Sequence, residues 1–237
     1  MAARIFILPG FGVNSVMYEP LASYLESQGF EVKHIDYRQV LPQISLTQMT
    51  GMDVVQKIIK HYRILPEDKL IGHSTGGYFA FLIREIQQNE ICMISSFSDA
   101  KKKIVHFLPS PYFTPILSLT GYIKSSFSKK YMLSKIKGRD IEQPTMEVME
   151  HFSDFSNEDL FKLSWIITFD EKPISVLPHP LRIHSKEDRV VRVPDEPYVE
   201  VKGAHFPLDL DFEGVVNAMQ GFLSKKRSPQ TIVDRRL

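Results

Sequence analysis

Ser74 stands in Gly72-His73-Ser74-Thr75-Gly76-Gly77, a Gly-x-Ser-x-Gly pattern flanked by apolar residues. A serine hydroxyl is a poor nucleophile at neutral pH. One that reacts needs a base to take its proton and an acid to hold that base in one tautomer. His205, in Val201-Lys-Gly-Ala-His-Phe-Pro, is the candidate base, and Asp188, in Ile183-His-Ser-Lys-Glu-Asp-Arg, is the candidate acid. Two other carboxylates compete for the acid's place: Glu187 adjoins Asp188, and Asp99 closes Ser95-Ser-Phe-Ser-Asp. Acyl transfer further requires N–H donors for the tetrahedral oxyanion. The Thr75 amide, at a helix N-terminus, and the Phe11 amide, in Pro9-Gly10-Phe11-Gly12, are the expected donors. Each residue has a plainer reading: a glycine-rich turn with an incidental serine, a loop histidine among eight, a solvated carboxylate, glycines that only shape a turn. What favours chemistry is that all of them fall at strand ends.

The elements that would position them alternate between β-rich apolar runs and helical spacing, the pattern of parallel βα units. Arg4–Leu8 reads as the first strand, Phe30–Tyr37 as the second and Lys69–Gly72 as the third. Ile91–Phe97, Pro180–His184 and Pro197–Val201 read as the fourth to sixth. Leu21, Tyr24 and Leu25 share a helical face after Pro20, with Gly29 as the stop. Val54, Val55, Ile58, Ile59 and Tyr62 define a second helix, residues 78–87 a third, and Val215 to Leu223 a closing one. Gly72 and Gly76 leave room for a sharp strand-to-helix turn at Ser74. His205 and Asp188 follow the last two strands, at the sheet end where open α/β folds bind ligands.

Residues 101–177 break this rhythm. They hold helical pieces, among them one opened by Ser156 and Asp159, but no convincing strand. So long a structureless loop is improbable, and the segment is expected to be an inserted helical subdomain. Residues 1–100 and 178–237 then form a single core domain. The insertion's apolar residues (Phe107, Leu108, Tyr112, Phe113, Ile116, Leu117, Phe152, Phe155, Phe161 and Trp165) suit either a substrate pocket or plain packing on the core.

With 237 residues, 43% hydrophobic and 24% charged, the chain is an ordinary globular sequence. Its net charge of +1 is unevenly spread: residues 101–139 carry eight Lys and one Arg and no acidic residue. The stretch from Lys225 to Arg236 is also basic. Lys124, Lys129, Lys130, Lys135, Lys137 and Arg139 could attract an anionic carrier or head group, or could simply form a solvated helix face. The lone Cys92 sits in an apolar run, as a buried inert thiol would, and permits no disulfide within the chain. Nothing approaches the ~20 apolar residues of a membrane span, and no signal peptide is legible, so a cytoplasmic home is expected. There is no metal-binding spacing, dinucleotide fingerprint or phosphate-cradling loop, and no cofactor or nucleic-acid partner is expected.

Leu8-Pro-Gly-Phe-Gly, the Gly-His-Ser-Thr-Gly-Gly turn, the Asp188 loop and the Gly-Ala-His205 loop together resemble the α/β-hydrolase superfamily. The similarity covers residues 4–100 and 178–224. It implies a Ser74–Asp188–His205 triad in the superfamily's chain order, an oxyanion loop at Phe11, and a lid at the insertion after the fourth strand. Pro9 stands where that superfamily usually has His, no strand pair precedes Arg4, and the helix joining the last two strands is expected to be trimmed to a turn. The sheet should therefore be the reduced form, roughly six-stranded and mostly parallel, with helices on both faces. Serine at the elbow argues against epoxide or carbon–halogen chemistry. The expected activity is hydrolysis of a carboxylic ester or thioester. An acyltransferase or carbon–carbon hydrolase or lyase could use the same residues, and a catalytically silent binding module of the same fold is the alternative from another class.

Overall fold

Along Arg4–Leu8 (β1), Ile5 and Ile7 join one apolar cluster while Phe6 and Leu8 join another, because successive strand side chains point to opposite faces. β3 (Lys69–His73) and β4 (Glu90–Ile94) divide in the same way, and β2 (Glu31–His34), β5 (Leu181–His184) and β6 (Val199–Glu200) complete the set of strands. The computed structural model describes residues 2–47, 49–103, 113–136, 142–171 and 175–224. Within it the strands form one sheet in the order β2-β1-β3-β4-β5-β6, and every neighbouring pair is parallel.

Parallel strands need crossover connections, and helices supply them on both faces. Leu21, Ala22 and Leu25 of α1 (Glu19–Ser27) and Val215, Met219 and Phe222 of α10 (Phe212–Ser224) cover Ile5, Ile7, Ile71, Cys92, Ile94 and Ile183. On the other face, α2 (Gly51–Tyr62) and α3 (Thr75–Gln87) pack Val54, Val55, Ile58, Phe79, Leu82 and Ile83 over Phe6, Leu8, Leu70, Ile91 and Met93. α2 opens on a capping box: Thr50 and Asp53 each bond the other's backbone N–H.

Three strands are shorter than their apolar runs suggest. β2 ends at His34, and Asp36 then turns its carboxylate to accept the Arg38 N–H at 3.0 Å, capping a 3-10 turn. β4 stops at Ile94 because Ser95 takes a left-handed φ of +44°. β6 is only two residues long. Between β5 and β6 the chain makes turns and no helix.

The segment between β4 and β5 is helical where described: α4 (Ala100–Lys103), α5 (Phe113–Leu119), α6 (Ser126–Ile136), α7 (Glu142–His151) and α8 (Asn157–Phe169). Ser156 caps α8, accepting the Asp159 N–H at 3.0 Å. Met149, Phe152, Phe155, Leu160, Leu163 and Ile166 bury themselves in the same cluster as Phe6, Tyr37 and Phe79, so these helices share the sheet's core. Two polar pins hold them. Fully buried Lys162 donates to the Leu41 carbonyl at 2.9 Å and pairs with Glu158 at 2.7 Å. Asp170, just past α8, accepts the Tyr78 O–H at 2.7 Å and the Gly51 N–H at 2.9 Å. Phe113, Ile116 and Trp165 are exposed instead. Phe107, Leu108, Tyr112, Lys137, Arg139 and the stretch from Lys225 lie outside the described residues. A short α9 (Pro207–Leu210) precedes α10.

Candidate active site

The turn between β3 and α3 is too tight for side chains. A Cβ at Gly76 would strike the carbonyls of Leu8 and Pro9, one at Gly72 the Gly76 carbonyl, and one at Gly77 the Ser96 hydroxyl. Ser74 itself is held at φ +54°, ψ −121°, a strained conformation for a residue with a side chain. Its N–H donates to the Ile94 carbonyl at 3.0 Å, and its carbonyl accepts from Gly77 N–H at 3.0 Å and Ser96 O–H at 2.6 Å. Those bonds hold the strain and leave the hydroxyl at the carboxyl end of the sheet.

There it meets the two loops that follow β5 and β6. His205 Nε2 lies 3.1 Å from Ser74 Oγ, and His205 Nδ1 lies 2.9 Å from Asp188 Oδ2. The other Asp188 oxygen accepts the amides of Val190 and Val191 at 2.8 and 2.9 Å. Burial alone would push the Asp188 carboxyl upward. The charge and hydrogen bond of His205, with the Val191 amide, outweigh it and hold the group below the ordinary carboxylate range. Gly203 and Ala204 carry His205 into place through two successive left-handed residues, φ +92° and +50°.

The competing carboxylates are engaged elsewhere. Asp99 accepts the Lys102 N–H at 3.2 Å at the start of α4 and pairs with the Lys102 ammonium at 3.8 Å. Glu187 is exposed. The Gly10 amide donates to Tyr18 Oη at 2.9 Å and is thereby unavailable to an oxyanion. Among the described residues, no backbone hydrogen bond outside the regular elements occupies the amides of Phe11 or Thr75. Phe152, in the 3-10 turn just past α7, sets its ring edge-on to Phe11 at 5.5 Å and covers Gly12 so closely that a Cβ there would lie 2.6 Å from the ring. Asn14 fixes the same loop to the insertion, reaching His151 Nδ1 at 2.9 Å and Asp154 Oδ2 at 3.1 Å.

Four polar contacts were invisible in the sequence pattern. His184, buried beneath the acid, donates from Nε2 to the Val191 carbonyl at 3.2 Å and lies 3.8 Å from Asp188 Oδ2. Burial holds it below the ordinary imidazole range despite Asp188. Tyr18 reaches His73 Nδ1 at 3.0 Å, and His73 Nε2 lies 2.9 Å from the His205 carbonyl. No spacing rule ties Tyr18 to the elbow. Of the basic stretch, Lys101 pairs with Glu171, Lys102 with Asp99, and Lys124 donates to the Phe155 carbonyl. Among the described residues, no His, Cys, Asp and Glu side chains are grouped as metal ligands would be, and no helix is long and apolar enough to cross a membrane.

A six-stranded parallel sheet with a strained serine at the turn after its third strand is the reduced α/β-hydrolase fold, and solved structures of that fold match 94–95% of the chain. A carboxylesterase of Nitrososphaera gargenis matches with a TM-score of 0.69 at 16% identity, covering 94% of this chain and 90% of its own. The enol-lactonase of Burkholderia xenovorans LB400 matches with a TM-score of 0.64 at 15% identity, covering 95% and 92%. A thioesterase of the prodiginine pathway of Streptomyces coelicolor matches with a TM-score of 0.59 at 12% identity, covering 92% and 85%. No protein-family model and no curated protein matches the sequence.

Proposed function

We propose that the protein is a serine hydrolase that cleaves a carboxylic ester or thioester of a small molecule through an acyl-enzyme on Ser74. The observation that carries this reading is the unbroken buried chain from Ser74 Oγ through His205 to Asp188, at 3.1 and 2.9 Å. In the first half-reaction Ser74 Oγ attacks the acyl carbonyl while His205 Nε2 takes its proton. Asp188 keeps the Nδ1 proton in place and stabilises the imidazolium. The amides of Phe11 and Thr75 receive the oxyanion, and His205 returns its proton to the leaving alcohol or thiol. In the second half-reaction His205 activates water, which attacks the acyl-serine and releases the acid.

Three of the structural neighbours are named as a carboxylesterase, an enol-lactonase and a thioesterase, activities that break an acyl–oxygen or acyl–sulfur bond, which supports this class. The helices between β4 and β5 act as the lid, with Phe152 as its contact on the oxyanion loop.

Labelling with a fluorophosphonate probe tests the reading, with Ser74→Ala as control. The wild type is expected to label and to hydrolyse members of a chain-length series of p-nitrophenyl esters and acyl-thioesters, and the variant to do neither. A wild type that neither labels nor hydrolyses overturns it.

A further inference from the structure

We propose that Tyr18 and His73 are positioning residues that lock the oxyanion loop and the base loop together beneath Ser74. The proposal deepens the hydrolase reading and rests on it.

The hydrogen bonds have only one consistent direction. The His205 carbonyl can only accept, so the proton of His73 is on Nε2 and points to it at 2.9 Å. Burial, reinforced by the neighbouring His205, holds the His73 imidazole down at about 4, so at neutral pH its Nδ1 is bare and accepts. Tyr18 Oη, 3.0 Å away, must then donate to it. Burial pushes the Tyr18 phenol up, so that proton is not lost. Tyr18 Oη still has lone pairs, and the Gly10 N–H fills one at 2.9 Å. The chain Gly10 N–H → Tyr18 O–H → His73 Nδ1, with His73 Nε2–H → His205 carbonyl, is complete and buried.

Its two ends matter. Gly10 immediately precedes Phe11, whose amide is assigned to the oxyanion, and engaging the Gly10 amide fixes the peptide plane before it. His205 follows Gly203 and Ala204, both at left-handed φ, and Ala204 carries a Cβ there, so the loop is held in a conformation it would not keep alone. His73 is the residue before Ser74. One hydrogen-bonded chain therefore touches all three segments that carry reacting or charge-stabilising groups. Neither Tyr18 nor His73 is assigned any contact with substrate, so their contribution is geometric. A misplacement of about 1 Å in such a site costs on the order of 100-fold in rate.

The test uses Tyr18→Phe, His73→Leu and His73→Gln in the full chain. Fluorophosphonate labelling rate, kcat and KM on a p-nitrophenyl ester, the acidic limb of the pH profile, and the downfield His205 Nδ1–H resonance are measured. Tyr18→Phe and His73→Leu are expected to lower kcat and labelling on the order of 10- to 100-fold with little change in KM. The acidic limb should differ from that of the wild type, and the resonance should shift or broaden as His205 loosens from Asp188. His73→Gln, whose amide can reach the His205 carbonyl from the Nε2 position, should keep more activity than His73→Leu. Folded variants with wild-type kcat, pH limb and resonance, altered only in melting temperature, overturn the proposal. A wild type that fails to label and turns over no ester overturns the hydrolase reading instead, and the resonance still decides whether the pair holds His205.

Discussion

Asp188 Oδ2 lies 2.9 Å from His205 Nδ1, while the other oxygen of the same carboxylate is fixed by the amides of Val190 and Val191. The acid is thus anchored on one side and directed on the other. Asp188→Asn keeps the shape but would offer an N–H or a weaker acceptor to His205, favouring the wrong tautomer. It is expected to lower kcat on the order of 10³- to 10⁴-fold in an assay on p-nitrophenyl esters. Asp99→Asn should leave kcat unchanged, because Asp99 is bonded to Lys102. Comparable losses in the two variants would reverse the assignment of the acid.

Gly12 sits under the Phe152 ring with φ +64°. Gly12→Ala therefore meets both a clash and a strained backbone, for a combined cost on the order of 2–4 kcal/mol. Pairing it with Phe152→Ala removes the clash but not the strain. A double-mutant cycle by urea denaturation should show favourable coupling between the two substitutions with incomplete recovery. Strict additivity would mean that Phe152 does not press on this loop.

The residues that could react were legible from type and order. Ser74, Asp188 and His205 each follow an apolar run, and the glycines around Ser74 mark the turn where no Cβ fits. The runs also marked each strand, but not its end. β4 stops three residues before the apolar stretch does because Ser95 turns left-handed, and apolar content carries no information about φ. Contacts between distant segments were not legible. Tyr18 and His73 are 55 residues apart, and Asn14 and His151 are 137 apart. Nothing in the local sequence marks Lys162 as buried; its partner, the Leu41 carbonyl, lies 121 residues away. Such pairs depend on packing, which local spacing does not encode.

Asp170 joins the end of α8 to both Tyr78 and the first residue of α2. Tyr78→Phe leaves the half-buried carboxylate short of one donor, and the expected cost is about 1–3 kcal/mol. The loss should be local: faster amide exchange or proteolysis within residues 157–170, with the sheet protected as before. A uniform loss of protection over the whole chain would show that the pin belongs to the global core rather than to the insertion.

His73 also makes the fold acid-sensitive in a defined window. Its folded-state value is about 4 against 6.5 for the free side chain, because burial disfavours the imidazolium. The unfolded chain therefore binds the extra proton between these values, and stability must rise with pH there. The contribution is fully present above about pH 6.5 and is lost as pH falls toward 4, on the order of 3 kcal/mol in all. His184, lowered in the same direction, adds to the same slope. Asp188, lowered from 3.8, acts only below this range. Asp209, which burial raises to about 6, and Asp170, raised for the same reason, act with the opposite sign in this window, so the difference between two proteins isolates His73. Between pH 7, 5.5 and 4.5 the urea midpoint of the wild type should lose ground relative to that of His73→Leu, which has no proton to gain at that position. Parallel slopes for the two proteins would mean that His73 is not the buried neutral group described here.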